Sequence, residues 1–248
     1  MAVKIKNTPS PDVLMNSMRS IGYNFRTALA DIIDNSISAK AKNIYISSPI
    51  NDEKVFITIL DDGEGMDDSK LFNAMKYGSN KEYYDTNDLG RFGLGLKSAS
   101  LSQCRILTVA SKKENVIVAY QWDLDSVIQN REWDCLKLEN HEINNIPNIE
   151  YLRKLTQGTL VVLENFDICY KKSGGRIRIY LCDEIDDAES HIRLVFHRFL
   201  SNSFKPLKIY INQVLLTPID PFLEYHSKTD SQNPKEIDVN GSIVKIIN

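Results

Sequence analysis

The sequence predicts an α/β (α+β) two-layer sandwich: a mixed, mainly antiparallel sheet with helices on one face. Two observations predict it. Segments 13–21 and 27–37 place apolar residues at helical spacing. Segments 43–47, 55–60, 105–110, 116–122 and 158–163 read as strands, the first by alternation and the later ones as consecutive strands of one sheet.

Taken in order, Ser10 caps a first helix that has Pro11 in its opening turn, and Val13, Leu14, Met18 and Ile21 recur along it. A second helix follows Gly22, with Leu29, Ile32, Ile33 and Ile37 as its core-facing stripe. Asp31 and Asn35 are four residues apart on this helix, one turn above each other at the edge of the stripe. Two readings stand. Both are solvated surface residues, or they are a carboxylate that orients water beside an amide oxygen that ligates a hard cation. Asp34 is expected on another face.

Strands 43–47 and 55–60 are expected to pair as a hairpin across residues 49–54. The second runs into Asp61-Asp-Gly63-Glu-Gly65-Met66, which sets Asp61 at a sheet edge. Its glycines are expected to leave room for a flat ligand against the backbone. A short helix at 71–75 leads to Ser79 and Lys81, and the polar run to Asp88 reads as a lid. His191 to Leu200 reads as an amphipathic helix, and 171–176 as a basic, solvated turn. A further strand is expected at 207–212, and Pro218 to Phe222 as a turn into a new module.

The lid leads to Gly90-Arg91-Phe92-Gly93-Leu94-Gly95-Leu96-Lys97-Ser98, in which the run from Leu96 opens a helix. Glycines allow close backbone approach, a helix N-terminus offers unpaired N–H groups, and Lys97 adds a full positive charge. The combination suits a phosphate group; read alone, it also suits a turn between packed elements. It is not a P-loop, because Leu96 separates Gly95 from Lys97. Nor is it a dinucleotide fingerprint, because a polar run rather than a strand precedes it.

Composition narrows the class. The 248 residues are 42% hydrophobic and 25% charged, as in ordinary globular proteins, and can bury one large core or one domain plus part of another. A net charge of −3 advertises neither nucleic acid nor a membrane surface. The four cysteines are widely spaced, without a metal-ligand pattern, which fits a reducing compartment. Residues 1–6 lack the apolar core of a signal peptide, and no run approaches the roughly 20 apolar residues of a membrane span. The expected location is therefore intracellular: cytoplasmic, or nuclear in a eukaryote. Residues 237–248 read as a strand, a turn and a strand just begun, so the expectation is a piece of a longer protein.

The order of the motifs is the specific signal. Asp31-x-x-x-Asn35, then Asp61-x-Gly63-x-Gly65, then Gly90-x-x-Gly93-x-Gly95, then Gly158-Thr159 resembles the GHKL (Bergerat-fold) ATPase superfamily. That superfamily includes type II topoisomerase ATPases, heat-shock chaperones, histidine kinases and MutL. Residues 28–37 and 90–100 are most similar to the microrchidia (MORC) and MutL-like branch. The resemblance implies an ATP-binding domain over 1–205 and, over 206–248, a linker and the start of a transducer-like module. It implies that Asp61 accepts the adenine amino group with Thr159 in support, while Gly63, Gly65 and Met66 line the base. Asn35 ligates Mg²⁺, and the segment Gly90 to Ser98 holds the phosphates, with Ser79 and Lys81 nearby. Asp31 falls at the general base's position, where most relatives have Glu.

The resemblance also implies an ATP-dependent homodimer formed through residues 1–10 and 76–92, ADP as product, and a DNA-related process. A transducer lysine that relatives direct to the γ-phosphate is expected beyond Asn248, so binding is expected to exceed hydrolysis. Two alternatives remain. One is a non-hydrolysing, nucleotide-switched scaffold in which Asp31 is too short to act as a base. The other is a histidine-kinase catalytic domain, disfavoured because no histidine precedes His141.

Overall fold

A computed structural model describes residues 9–20, 23–48, 55–77, 95–224, 226–229, 235–239 and 242–246. It opens with helices α1 (Pro11–Arg19) and α2 (Phe25–Ser38), followed by strands β1 (Asn43–Ser47) and β2 (Phe56–Asp61). Helices α3 (Asp68–Met75) and α4 (Gly95–Gln103) precede the hairpin β3 (Ile106–Lys113) and β4 (Val116–Asp123). Next come α5 (Leu124–Asn130), β5 (Leu136–Lys137), α6 (Asn140–Ile143), α7 (Ile149–Lys154) and β6 (Gly158–Glu164). The remainder holds α8 (Asp167–Ser173), α9 (Ile177–Val195), α10 (His197–Leu200), β7 (Lys208–Ile211), β8 (Val214–Leu215), β9 (Lys235–Val239) and β10 (Ser242–Ile246).

Eight strands form one sheet in the order β5-β4-β3-β6-β2-β1-β7-β8, and β9 pairs with β10 separately. All neighbours in the large sheet are antiparallel except β1 and β7, which run parallel. The sheet is thus mixed and mainly antiparallel, as the sequence predicts. Because β7 and β8 pair into it, the sheet continues past residue 206, where the sequence placed a division.

Strand alternation sorts the side chains to two faces. Ile57 and Ile59 of β2, Leu107 and Val109 of β3, and Val161 and Leu163 of β6 join the core shared with α2, α4 and α9. Helix α2 starts at Asn24, whose side chain accepts from the Thr27 N–H at 2.9 Å. It buries Phe25, Ala28, Leu29, Ile32, Ile33 and Ser36, so its opposite edge carries Asp31 and Asn35 outward. On the other sheet face, Ile143, Ile146, Ile149 and Leu152 from the α6–α7 segment cover Leu60, Ala110, Leu160 and Val162.

Two helices depart from expectation. In α1, Val13 is 62% exposed while Met15 is 1% exposed, so Met15 is the anchor rather than the Val13–Leu14 pair. The Met18 side chain and Ile21 lie outside the described residues. The helix expected from His191 begins instead at Ile177, and buries Leu181, Ile185, Ala188 and Ile192 at spacings of four, three and four. The basic turn is displaced as well. Lys171 and Lys172 belong to the last turn of α8, which ends at left-handed Gly174.

Candidate functional site

Asp61 ends β2, directly opposite Thr159 of β6 and Ile44 of β1. It is 4% exposed. The Gly63 N–H donates to its Oδ1 at 2.9 Å and the Ser36 hydroxyl to its Oδ2 at 2.9 Å. Burial pushes its pKa up to about 6, against the Gly63 and Ser36 hydrogen bonds that favour the ionised form. A carboxylate has about four lone-pair sites, so accepting capacity remains for an amine. Ser36 was not foreseen. Its signal is a hydroxyl on the buried face of α2, one residue after Asn35.

A second hydroxyl beneath this site was missed as well. Ser111 of β3, fully buried, accepts from the Met66 N–H at 2.8 Å and donates to the Gly158 carbonyl at 3.0 Å. Its Oγ also lies 3.0 Å from the Thr159 hydroxyl. Ser111 follows Leu107 and Val109 on the inward side of β3, where a polar residue is out of pattern.

The glycines serve a purpose other than the one expected. A Cβ on Gly65, whose φ is +62°, would stand 2.1 Å from the Lys112 carbonyl oxygen. One on Gly158 would stand 2.1 Å from the Asp61 carbonyl oxygen, and one on Gly63 2.8 Å from that of Ala39. The room they leave is filled by this chain's own backbone. They draw the turn after β2 against β3 and the end of α2, which fixes Asp61 and Met66 in place.

On the exposed edge of α2, the Asn35 amide nitrogen donates to the Asp31 carbonyl at 2.7 Å. Asn35 is exposed, and Asp31 is half-buried. Asp34 was expected on a separate face, but its pKa is raised by burial and then by the neighbouring charge of Asp31. Three residues apart on a helix, the two carboxylates are neighbours. The Tyr23 hydroxyl is also pushed up, by burial first and then by the Asp31 carboxylate beside it. The side chains on this edge offer oxygen donors, the type that Mg²⁺ takes, though the described residues include no cluster of three or more His, Cys, Asp or Glu that could hold a metal.

Helix α4 starts at exposed Gly95, and among the described residues nothing lies within 4 Å of where its Cβ would be. Leu96 and Ser98 are half-buried. Lys97 turns the other way. It is 1% exposed, and its ammonium donates to the Ala74 carbonyl at 2.7 Å and the Lys76 carbonyl at 2.6 Å. Burial lowers its pKa to about 8. Its charge therefore caps the C-terminal end of α3 rather than joining Gly95 at the helix mouth. Ser79, Lys81, Gly90, Arg91, Phe92, Gly93 and Leu94 lie outside the described residues.

Two cavities are lined by described residues. One of about 220 Å³ opens beside Met66, between Asp67 and the Lys113–Val116 turn. The other, of about 510 Å³, is on the far sheet face between Phe56, Thr108, Gln121 and the 142–147 segment.

Residues 23–159 match the family described as histidine kinase-, DNA gyrase B-, and HSP90-like ATPase. The chain is 33% identical over 94 residues to ATPase morc-1 of Caenorhabditis elegans, which is 38% of this chain and 11% of that protein. It is 34% identical over 94 residues to ATPase MORC2B of Mus musculus, covering 36% and 9%. Identity to ATPase MORC2 of Homo sapiens is 32% over 94 residues, again covering 36% and 9%. The matched stretch spans about a tenth of each relative's length.

Proposed function

Because this chain belongs to the histidine kinase-, DNA gyrase B- and HSP90-like ATPase family, we propose that it binds and slowly hydrolyses Mg-ATP, with adenine recognised at Asp61. The observation that carries this reading is Asp61 itself. A carboxylate 4% exposed, held by one backbone N–H and one hydroxyl, is costly to keep unless it serves a ligand. Its acceptors match the exocyclic amine of adenine, and Thr159 lies directly opposite in register.

Asn35 would hold Mg²⁺ through its amide oxygen, and the ion would supply positive charge against the phosphates. The N-terminus of α4 at Gly95 offers N–H groups to the phosphates. Asp31, on the same edge of α2 as Asn35, orients the attacking water and takes its proton. Its side chain is one methylene shorter than Glu, which makes turnover slow. We also propose an ATP-dependent homodimer and a DNA-related process; family resemblance is the support for both. A transducer-like module that begins after β8, in the later part of 206–248, is proposed on the same ground.

Phosphate release tests the hydrolytic half. Wild type is expected to release phosphate slowly from Mg-ATP, Asp31→Ala to fall to background, and Asp31→Glu to match or exceed wild type. Release unchanged in Asp31→Ala would remove Asp31 from the chemistry. ATP binding without any release in wild type would favour the nucleotide-switched scaffold.

A further inference from the structure

We propose that this chain associates with a second copy of itself by seating the finger Phe204–Lys205 of one copy in the groove on the far sheet face of the other.

Phe204 is 96% exposed, yet its backbone is pinned on both sides. The Asn202 side-chain oxygen accepts from the Phe204 N–H at 3.0 Å and from the Lys205 N–H at 3.1 Å. Pro206 then keeps Lys205 out of helical geometry. Leu207 is 7% exposed and donates its N–H to the Phe199 carbonyl at 3.0 Å. A tip held this way loses little freedom on binding, so its aromatic ring can act as an anchor. Lys205, also exposed, sets a cation beside the ring.

The groove is its complement. On the far face, β6 carries Leu160, Val162 and Glu164 in turn. Leu160 and Val162 lie under the α6–α7 segment. Glu164 comes one step beyond them, in register with Phe56 of β2 and Ile106 of β3. These three, with Ile146, Pro147 and Glu142, line the cavity of about 510 Å³, a size that holds a ligand. Its lining includes two carboxylates and no lysine, arginine or histidine. An apolar floor with an acidic border suits an apolar group that carries a positive charge beside it, and Phe204–Lys205 is such a pair.

Within one chain the two features stand apart. Lys208, which follows the finger, is in register with Asn43 at the Asp61 end of the β1–β2 pair. Phe56 begins β2 at the other end, about 17 Å of strand away. The finger therefore fits the groove of another copy, either head-to-tail or as a reciprocal pair.

Sedimentation velocity of the 248-residue chain without nucleotide reads this contact independently of the ATP site. Wild type is expected to show an average mass that rises with concentration and falls with added salt. Phe204→Ser is expected to weaken the association at least tenfold. Lys205→Glu and Glu164→Lys are each expected to stay monomeric alone, because finger and groove then carry the same sign. Mixed, they are expected to associate again, since the acidic finger of the first meets the basic groove of the second. Circular dichroism shows that each variant is folded; should Glu164→Lys not fold, wild type and Phe204→Ser decide. A wild type that stays monomeric at every concentration would overturn the proposal. So would association unchanged in Phe204→Ser, or folded charge variants that fail to associate on mixing.

Discussion

Asp61 costs stability at neutral pH. Its pKa rises from 3.8 to about 6 on burial, so keeping it ionised above that value costs about 3 kcal/mol. The sign follows from proton counting. Between pH 3.8 and about 6 the folded state binds the extra proton, so the Asp61 contribution falls as pH rises through that window and is flat above it. Asp61→Asn is expected to remove this fall while losing nucleotide binding. Urea unfolding of both proteins at pH 4.5 and 7 checks it: the wild type minus variant stability difference should be less favourable at pH 7. A pH-independent difference would mean that Asp61 is not held near 6. At this scale the sequence was partly legible. Asp61 and Thr159 could be named from their motifs, because each stands at the end of a strong strand pattern. Ser36 and Ser111 could not, since their importance depends on which buried carboxylate and which backbone N–H they meet.

Lys97 links two helices that the sequence treats separately. Its ammonium bridges the last turn of α3 to the first turn of α4, and the Trp122 indole N–H donates to the Met75 carbonyl between its two targets at 2.9 Å. Consecutive carbonyls at the end of α3 are thus capped by side chains from α4 and β4. Lys97→Met is expected to speed amide hydrogen exchange in α3 and the start of α4 together, leaving β3 and β6 unchanged. Exchange that rises in only one helix would show that the lysine does not couple them. From sequence, Lys97 read as a phosphate charge because it follows glycines. Its direction is set by the helix turn and by Tyr77, Trp122 and Trp133 packed together nearby, which one-dimensional spacing does not reveal. From sequence, helix α9 reads as starting only at His191 for a similar reason. Its apolar stripe is sparse among charges, and packing against α2 rather than local pattern sustains it.

Across the molecule, the parallel pairing of β1 with β7 closes the sheet over a long stretch of sequence. Leu207, Ile209, Ile211 and Leu216 are each under 8% exposed. At roughly 2 kcal/mol per buried aliphatic side chain, their burial is comparable to the whole stability of a typical domain. A chain ending at residue 205 is therefore expected to lose cooperative unfolding and to aggregate through the bared edge of β1. One ending at residue 224 is expected to unfold as a single transition, and circular dichroism during urea titration distinguishes them. Full cooperativity in the shorter chain would place β7 and β8 outside the folding unit. The central hairpins and the helical layer could be read in advance, because short connections make their partners local. The β1–β7 pair could not, because its strands are far apart in sequence and neither marks the other.

The most direct test of the ATP-site assignment is calorimetric titration of Mg-ATP into the wild-type chain and Asp61→Asn. Saturable one-site binding by wild type, with loss of at least tenfold affinity in a variant that remains folded, is the predicted result. No binding by wild type, or equal binding by the two, would contradict it.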